Sequence, residues 1–197
     1  MDNFTSLVLH GRRVTLGSVR PDDATELFRI IAESREHLER WLPWVDFVRT
    51  AEDERQIVEQ WLYEMQMRTA IHFRINVDDR IVGLISTHQI DWMNQRTSIG
   101  YWIKADMVNQ NISTEATAVL VDYLFNKLGI HRIYIQAATD NAASNRVIQK
   151  VGFKLEGVLR ENEHIRDRYL DHNIYGMTKD DFESARQNLL KFIKECP

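Results

Sequence analysis

Ser98-Ile99-Gly100-Tyr101-Trp102-Ile103-Lys104-Ala105-Asp106-Met107-Val108-Asn109-Gln110-Asn111-Ile112-Ser113-Thr114-Glu115-Ala116 is the stretch whose pattern decides the fold. Apolar and aromatic residues over Thr97–Ile103 read as a strand. Lys104–Ile112 is a polar loop. Ser113–Leu128 carries Ala116, Val119, Leu120, Tyr123 and Leu124 at helical spacing, the stripe of a buried helix. Arg132–Ala137 is strand-like again. Asn141 stands where a helix cap belongs, and Gly152 stands where a left-handed helix end belongs. Phe153–Leu159 and Leu170–Met177 read as two further strands, and Asp180–Lys194 as a terminal helix.

Upstream, Arg13–Leu16 alternates like a strand. Pro21-Asp22-Asp23 opens a helix with Leu27, Phe28 and Ile31 on one face, continuing past a break into Leu38–Trp41. Thr50 and Asp53 have the spacing of a capping box ahead of Ile57, Trp61, Leu62 and Met65. Ile71–Val77 and Arg80–Thr87 flank an Asp78-Asp79 turn, as in a hairpin. Early helices, a run of antiparallel strands and a closing strand–helix–strand–helix–strand segment predict an α+β or mixed α/β fold around one central sheet.

The chain has 197 residues, 44% of them hydrophobic and 27% charged, so a single domain over residues 1–197 is the expectation. Three prolines and eight glycines, scattered, leave no obvious linker. No window approaches ~18 consecutive apolar residues, so no membrane span is expected. Met1–Arg13 lacks a basic-then-apolar export pattern, which points to the cytoplasm. The net charge of -4 argues against general nucleic-acid binding and mildly favours a cationic partner. The one cysteine, Cys196, can form neither an internal disulfide nor a cysteine-cluster metal site. The seven histidines show no metal spacing with carboxylates, so no metal is expected.

The loop into Ser113 carries the first chemical signal. The leading N–H groups of a helix lack internal partners, and the dipole there is positive, so a phosphate is stabilised without a basic side chain. A loop that wraps a pyrophosphate also needs positive φ, and Asn is the next most willing residue after Gly. An ordinary strand–helix connection with Asn and Ser as caps would read the same. So would helix capping for Asn141-Ala142-Ala143-Ser144-Asn145.

Taken together in order and spacing, certain marks make the chain resemble the GNAT superfamily of acetyl-CoA-dependent N-acetyltransferases. It looks most like the Rim-type ribosomal-protein acetyltransferases, particularly the type that modifies an N-terminal serine. The marks are Asp23-Ala24 with Leu27-Phe28, His37-Leu38 through Trp41-Leu42-Pro43-Trp44, Ile81-Val82-Gly83, Ile99–Ile103, Ser113–Ala116, Asp140-Asn141 through Ser144-Asn145, Gly152-Phe153 and Glu156-Gly157. The resemblance implies a three-layer fold with a twisted mixed sheet, in which the parallel strands Thr97–Ile103 and Arg132–Ala137 splay apart. It implies acetyl-CoA as co-substrate, with its pantetheine arm against Tyr101, Trp102 and Ile103. It places the pyrophosphate on Val108, Asn109, Gln110, Asn111, Ile112, Ser113 and Thr114, with Asn141 and Asn145 on the other side. The family loop pattern, Arg/Gln-x-x-Gly-x-Gly/Ala, meets Val108, Asn111 and Ser113 here, which leaves the backbone bonds but puts strain on Asn111.

Many members use a tyrosine seven positions after the capping asparagine to protonate the leaving thiolate; Ile148 stands there. The serine-acetylating type instead resembles a serine–glutamate pair, which falls on Ser144 and Glu163. Ser144 is then the expected acid and Glu163 the expected base. Glu156 is the rival base, and a solvated charge in the mixed run Arg160–Asp171 is the plain alternative for Glu163. His88 is expected on the rim of the amine site, Trp41–Trp44 is read as either a lid or core packing, and the Ile103 N–H or a neighbour is expected to face the oxyanion. The expected acceptor is the N-terminal serine α-amine of a ribosomal protein. A polyamine or aminoglycoside acetyltransferase and a non-catalytic acyl-CoA sensor are the alternatives. A polyamine cleft should be strongly acidic, whereas Asp46, Asp91, Glu163 and Asp167 mix with Arg96, Arg160, Arg166 and Arg168. Analogy with related proteins suggests a homo-oligomer such as a dimer.

Overall fold

A computed structural model of the chain describes residues 3–193. Eight strands form one mixed sheet in the order β1-β2-β3-β4-β5-β6-β8-β7. They are β1 (Val8–His10), β2 (Val14–Ser18), β3 (His72–Val77), β4 (Arg80–Asp91), β5 (Arg96–Ile103), β6 (Arg132–Ala138), β7 (Lys154–Ile165) and β8 (Arg168–Thr178). All neighbours are antiparallel except β5 and β6. The helices are α1 (Ala24–Glu33), α2 (Arg35–Leu38), α3 (Ala51–Gln66), α4 (Ile112–Asn126), α5 (Ala142–Val151) and α6 (Lys179–Leu189).

The local signals act as read. Pro21–Asp23 is a 3-10 turn that leads into α1. Thr50 and Asp53 form a reciprocal capping box on α3. Asp78 and Asp79 both take positive φ, the conformation that joins β3 to β4 without splaying them. Gly152 ends α5 at φ 105.

Helices cover both faces. Arg74 on β3 pairs with Asp23 at the start of α1, and His72 stacks on Trp61 of α3, so α1 and α3 lie on that face. Successive strand residues point to opposite faces. Tyr101 on β5 reaches Ser144 of α5 on the other face, where α4 joins α6 through stacked Phe125 and Phe182. Because α4 packs on the sheet and is flanked by α5 and α6, nearly all of its side chains are buried, not one stripe alone.

Several elements differ from the pattern-based reading: β1 carries no mark in the sequence, and β4 runs on from Thr87 to Asp91. β7 runs to Ile165, well past Leu159, because the charged residues Arg160–His164 continue a long hairpin with β8 across two register shifts. α6 ends at Leu189; Lys194 and Cys196 lie outside the described residues.

Candidate active site

β5 and β6 pair only at Arg96↔Arg132, Thr97↔Ile133 and Ser98↔Tyr134. Beyond Ser98 they part. On its other side β5 stays paired with β4 to Ile103, and the Lys104 N–H donates to Val82 O at 2.8 Å. Backbone groups alternate sides along a strand. Since Lys104 faces β4, so do Trp102 and Gly100, which turns the N–H groups of Ile99, Tyr101 and Ile103 into the gap. The Ile103 N–H thus lies on the side expected for an oxyanion donor.

The gap belongs to a cavity of about 700 Å³. It is lined by Tyr101, Trp102, Ile103, every residue from Val108 to Thr114, Asn141, Ser144 and Glu163. Of the residues expected to hold the co-substrate, only Asn145 is not on this wall. Its amide is spent inside the protein: Nδ2 donates to Ala138 O at 2.9 Å and Asn141 O at 2.8 Å, while Oδ1 accepts from Asn173 Nδ2 and Tyr175 Oη, both at 2.8 Å. Asn145 ties α5 to the end of β6 and the middle of β8. That corrects its expected place beside a ligand.

At the entrance to α4 the backbone turns left-handed twice, at Asn109 (φ 60) and Asn111 (φ 61). Asn111 is the N-cap but makes no side-chain cap bond. Its Oδ1 instead accepts from Lys150 Nζ of α5 at 3.0 Å, which brings a cation to the mouth of the loop. The N–H groups of Ile112, Ser113 and Thr114 start the helix and have no intrahelical partner. Glu115, next in line, is buried; its Oε1 accepts from Arg13 N at 2.6 Å and Val14 N at 2.9 Å. It fastens the start of β2 to α4. A Cβ at Gly11 would lie 2.5 Å from that oxygen, so the hairpin needs glycine there.

Asn141 caps α5 by accepting from the Ser144 N–H at 3.1 Å. That turns the Ser144 hydroxyl toward Tyr101, whose phenol oxygen lies 3.0 Å from Ser144 Oγ. Burial pushes the Tyr101 phenol up to about 12, against the opposing effect of the Ser144 hydrogen bond. The phenol is therefore neutral near pH 7 and can donate. The Tyr101–Ser144 bond joins the two faces of the site and was not read in the sequence, because nothing in the spacing links a strand tyrosine to a helix serine 43 residues on.

On the opposite wall, Glu163 Oε2 lies 3.3 Å from His172 Nε2. Partial burial raises the Glu163 carboxyl above its ordinary range, and His172 pulls the other way. Glu156, the rival base, does not line the cavity; both its carboxylate oxygens are taken by Arg132, which holds its pKa down. His88 does line the cavity. It is accessible but sits in a concave cleft, whose desolvation lowers its pKa against the pull of Glu64. The Trp41–Trp44 segment is both wall and packing. Its four residues line the cavity, Trp41 packs on Ala138, Ile165 and Leu170, and Trp44 lies 6.2 Å from Trp102, ring to ring. Among the described residues no group of three or more His, Cys, Asp or Glu could hold a metal ion, and no helix is long and apolar enough to cross a membrane.

This geometry matches known proteins. The acetyltransferase (GNAT) domain family matches residues 13–154. The chain belongs to the GNAT acetyltransferase family. It is an acyltransferase with the GNAT fold. The ribosomal-protein-serine acetyltransferase of Escherichia coli (strain K12) is 30% identical over 172 residues, 87% of this chain and 96% of that protein. Mycobacterium smegmatis RimJ, solved with a CoA disulfide, superposes with a TM-score of 0.88 at 25% identity, covering 97% of each chain. The microcin self-immunity acetyltransferase MccE, solved with acetyl-CoA and AMP, superposes at 0.81 with 29% identity over 85% of this chain and 93% of its own. In this GNAT chain the splayed strands and left-handed loop stand where the sequence marks put them, with Asn in the loop's glycine place.

Proposed function

We propose that this acyltransferase moves the acetyl group of acetyl-CoA to the α-amine of a protein N-terminus, a ribosomal protein beginning with serine being the acceptor best supported. The observation that carries this reading is that Ser144 and Glu163 line one cavity at the point where β5 and β6 part. The kinship with a ribosomal-protein-serine acetyltransferase supports the acceptor class.

The residues present fit acetyl-CoA. N–H groups of β5 face the gap, the loop Val108–Thr114 presents further N–H groups at a helix start, and Lys150 adds charge beside Asn111. Acetyl-CoA, when bound, supplies the activated thioester; the chain supplies position and protons. Glu163 accepts the proton of the incoming amine, and its raised pKa brings it nearer the working pH. Ser144 holds the proton for the departing sulfur, with the Tyr101 phenol behind it. The gap-facing N–H of Ile103 or Tyr101 offers a donor where oxygen charge develops.

Ion pairing argues against a polycationic acceptor. Asp46 pairs with Arg166, Asp91 with Arg96, and Glu163 lies beside His172. Asp167 lies off the cavity, and Glu163 is the one carboxylate among the residues that line it, too little negative charge to hold a polyamine. A purely sensing role would leave the Ser144–Tyr101 pair and the partly buried Glu163 without a task. Incubation with acetyl-CoA, serine-initiated peptides and spermidine, read by intact mass, tests the reading. Peptide acetylation lost in Glu163→Gln is expected; acetylation of spermidine alone overturns it.

A further inference from the structure

The arrangement behind Glu163 has its own logic. His172 sits on β8, nine-tenths buried, directly opposite Ala138 of β6 and facing the cavity. Its Nδ1 lies 3.2 Å from Asn162 Nδ2. The same amide nitrogen donates to Gln136 Oε1 at 3.1 Å. An amide nitrogen is a donor only, and the Asn162 amide is turned with its nitrogen between Gln136 Oε1 and the His172 ring. His172 Nδ1 must therefore accept, and the ring hydrogen is left on Nε2. That Nε2 is buried and makes no hydrogen bond among the described residues. The acceptor beside it is Glu163 Oε2, at 3.3 Å but out of line for a hydrogen bond. A buried donor left unspent is costly, and here it faces the reacting wall of the cavity.

We propose that His172 is a positioning residue: held in one tautomer by Asn162 and Gln136, it presents Nε2–H to the Glu163 carboxylate and orients it as the proton acceptor of the acetyl transfer. This rests on the reading of Glu163 given above. His172 passes no proton itself, since Nε2 already carries one and Nδ1 is engaged by Asn162. A small swing of the carboxylate closes the bond, and catalytic hydrogen bonds are often misaligned until substrate binds. The network parallels the orienting partners that fix a catalytic side chain elsewhere. Other titratable or charged groups on the cavity are His37 from α2, His88 from β4, Tyr101 from β5, Tyr134 from β6, and Arg146 and Lys150 from α5. Of the titratable and basic groups on the cavity, His172 is the one the geometry sets within 4 Å of the Glu163 carboxylate among the described residues.

The test is the pH profile of kcat/KM for a serine-initiated peptide in wild type, His172→Leu, His172→Gln, Glu163→Gln and the Leu/Gln double variant, with acetyl-CoA Kd measured by calorimetry. His172→Leu should lower kcat by about tenfold, less than the roughly hundredfold expected on removing the base itself. It should also move the lower acid limb to higher pH, because the carboxylate loses its donor, and leave acetyl-CoA Kd unchanged. His172→Gln can still donate toward Glu163 and should recover most of the rate. On the Glu163→Gln background, His172→Leu should cost nothing more. An unmoved acid limb, or a loss that adds in full to that of Glu163→Gln, overturns the proposal for His172. Near-wild-type turnover in Glu163→Gln alone overturns the reading of Glu163 instead, and with it the premise.

Discussion

Glu54 offers a sharp test of the packing. It lies in the first turn of α3, 1% exposed, and neither carboxylate oxygen has a hydrogen-bond partner among the described residues. Burial with no compensating charge raises its pKa from 4.5 to about 7. The folded state therefore holds the proton more tightly than the unfolded chain. A carboxyl raised in this way destabilises the fold as pH climbs from about 4.5 through about 7, and the penalty is constant above that. With about 1.4 kcal/mol per pH unit, the gap between 4.5 and about 7 corresponds to about 3 kcal/mol at pH 8. Glu54→Gln keeps the shape and removes the charge, so it resembles the protonated form. In chemical denaturation it should be more stable than wild type by about 3 kcal/mol near pH 8 and by less than about 1 kcal/mol near pH 5. For a chain of this size the pH 8 gain is roughly 6–12 °C in Tm. An equal effect at both pH values would mean that Glu54 is not titrating in the folded protein, and the argument from burial would fail.

Two further predictions address the site. Tyr101→Phe removes the phenol that meets Ser144 Oγ at 3.0 Å. It should lower kcat by roughly tenfold while leaving acetyl-CoA Kd nearly unchanged; an equal rise in Kd would make Tyr101 a binding residue instead. Asn111→Gly relieves a left-handed backbone at φ 61 but releases Lys150. Acetyl-CoA affinity by calorimetry should be preserved or tightened by up to about fivefold, the equivalent of roughly 1 kcal/mol of strain; abolished binding would show the pyrophosphate to lie elsewhere.

What could be read in the sequence and what could not divide along physical lines. Elements marked by local chemistry were legible: the Thr50–Asp53 box, the Asp78-Asp79 turn, the Asn141 cap and the Gly152 end each act within a few residues. The parting of β5 from β6 was not written in any local pattern and came from the family resemblance. The β7–β8 hairpin was legible only in part, because an exposed strand carries charges on both faces and Arg160–Asp171 reads as a solvated run. Glu163 was reached only through the serine–glutamate pair that the family resemblance implies, while His172 and Asn162 carry no such mark and become visible only when β7 and β8 pair. Asn145 shows the reverse error: a motif residue beside the site is consumed by four hydrogen bonds that no sequence pattern displays. Lys150 likewise sits 39 positions from the loop it joins.

Ser144 and Glu163, brought to one cavity by the parting of β5 and β6, are proposed to carry acetyl transfer to an N-terminal amine. The most direct measurement is intact mass of a serine-initiated peptide after incubation with acetyl-CoA and wild type, Ser144→Ala or Glu163→Gln. The account predicts a gain of one acetyl group at the α-amine with wild type, and turnover reduced by about a hundredfold or more in Glu163→Gln with acetyl-CoA binding retained. Wild-type turnover in both variants, or acetyl-CoA binding with no acetylated product from any amine, would contradict it.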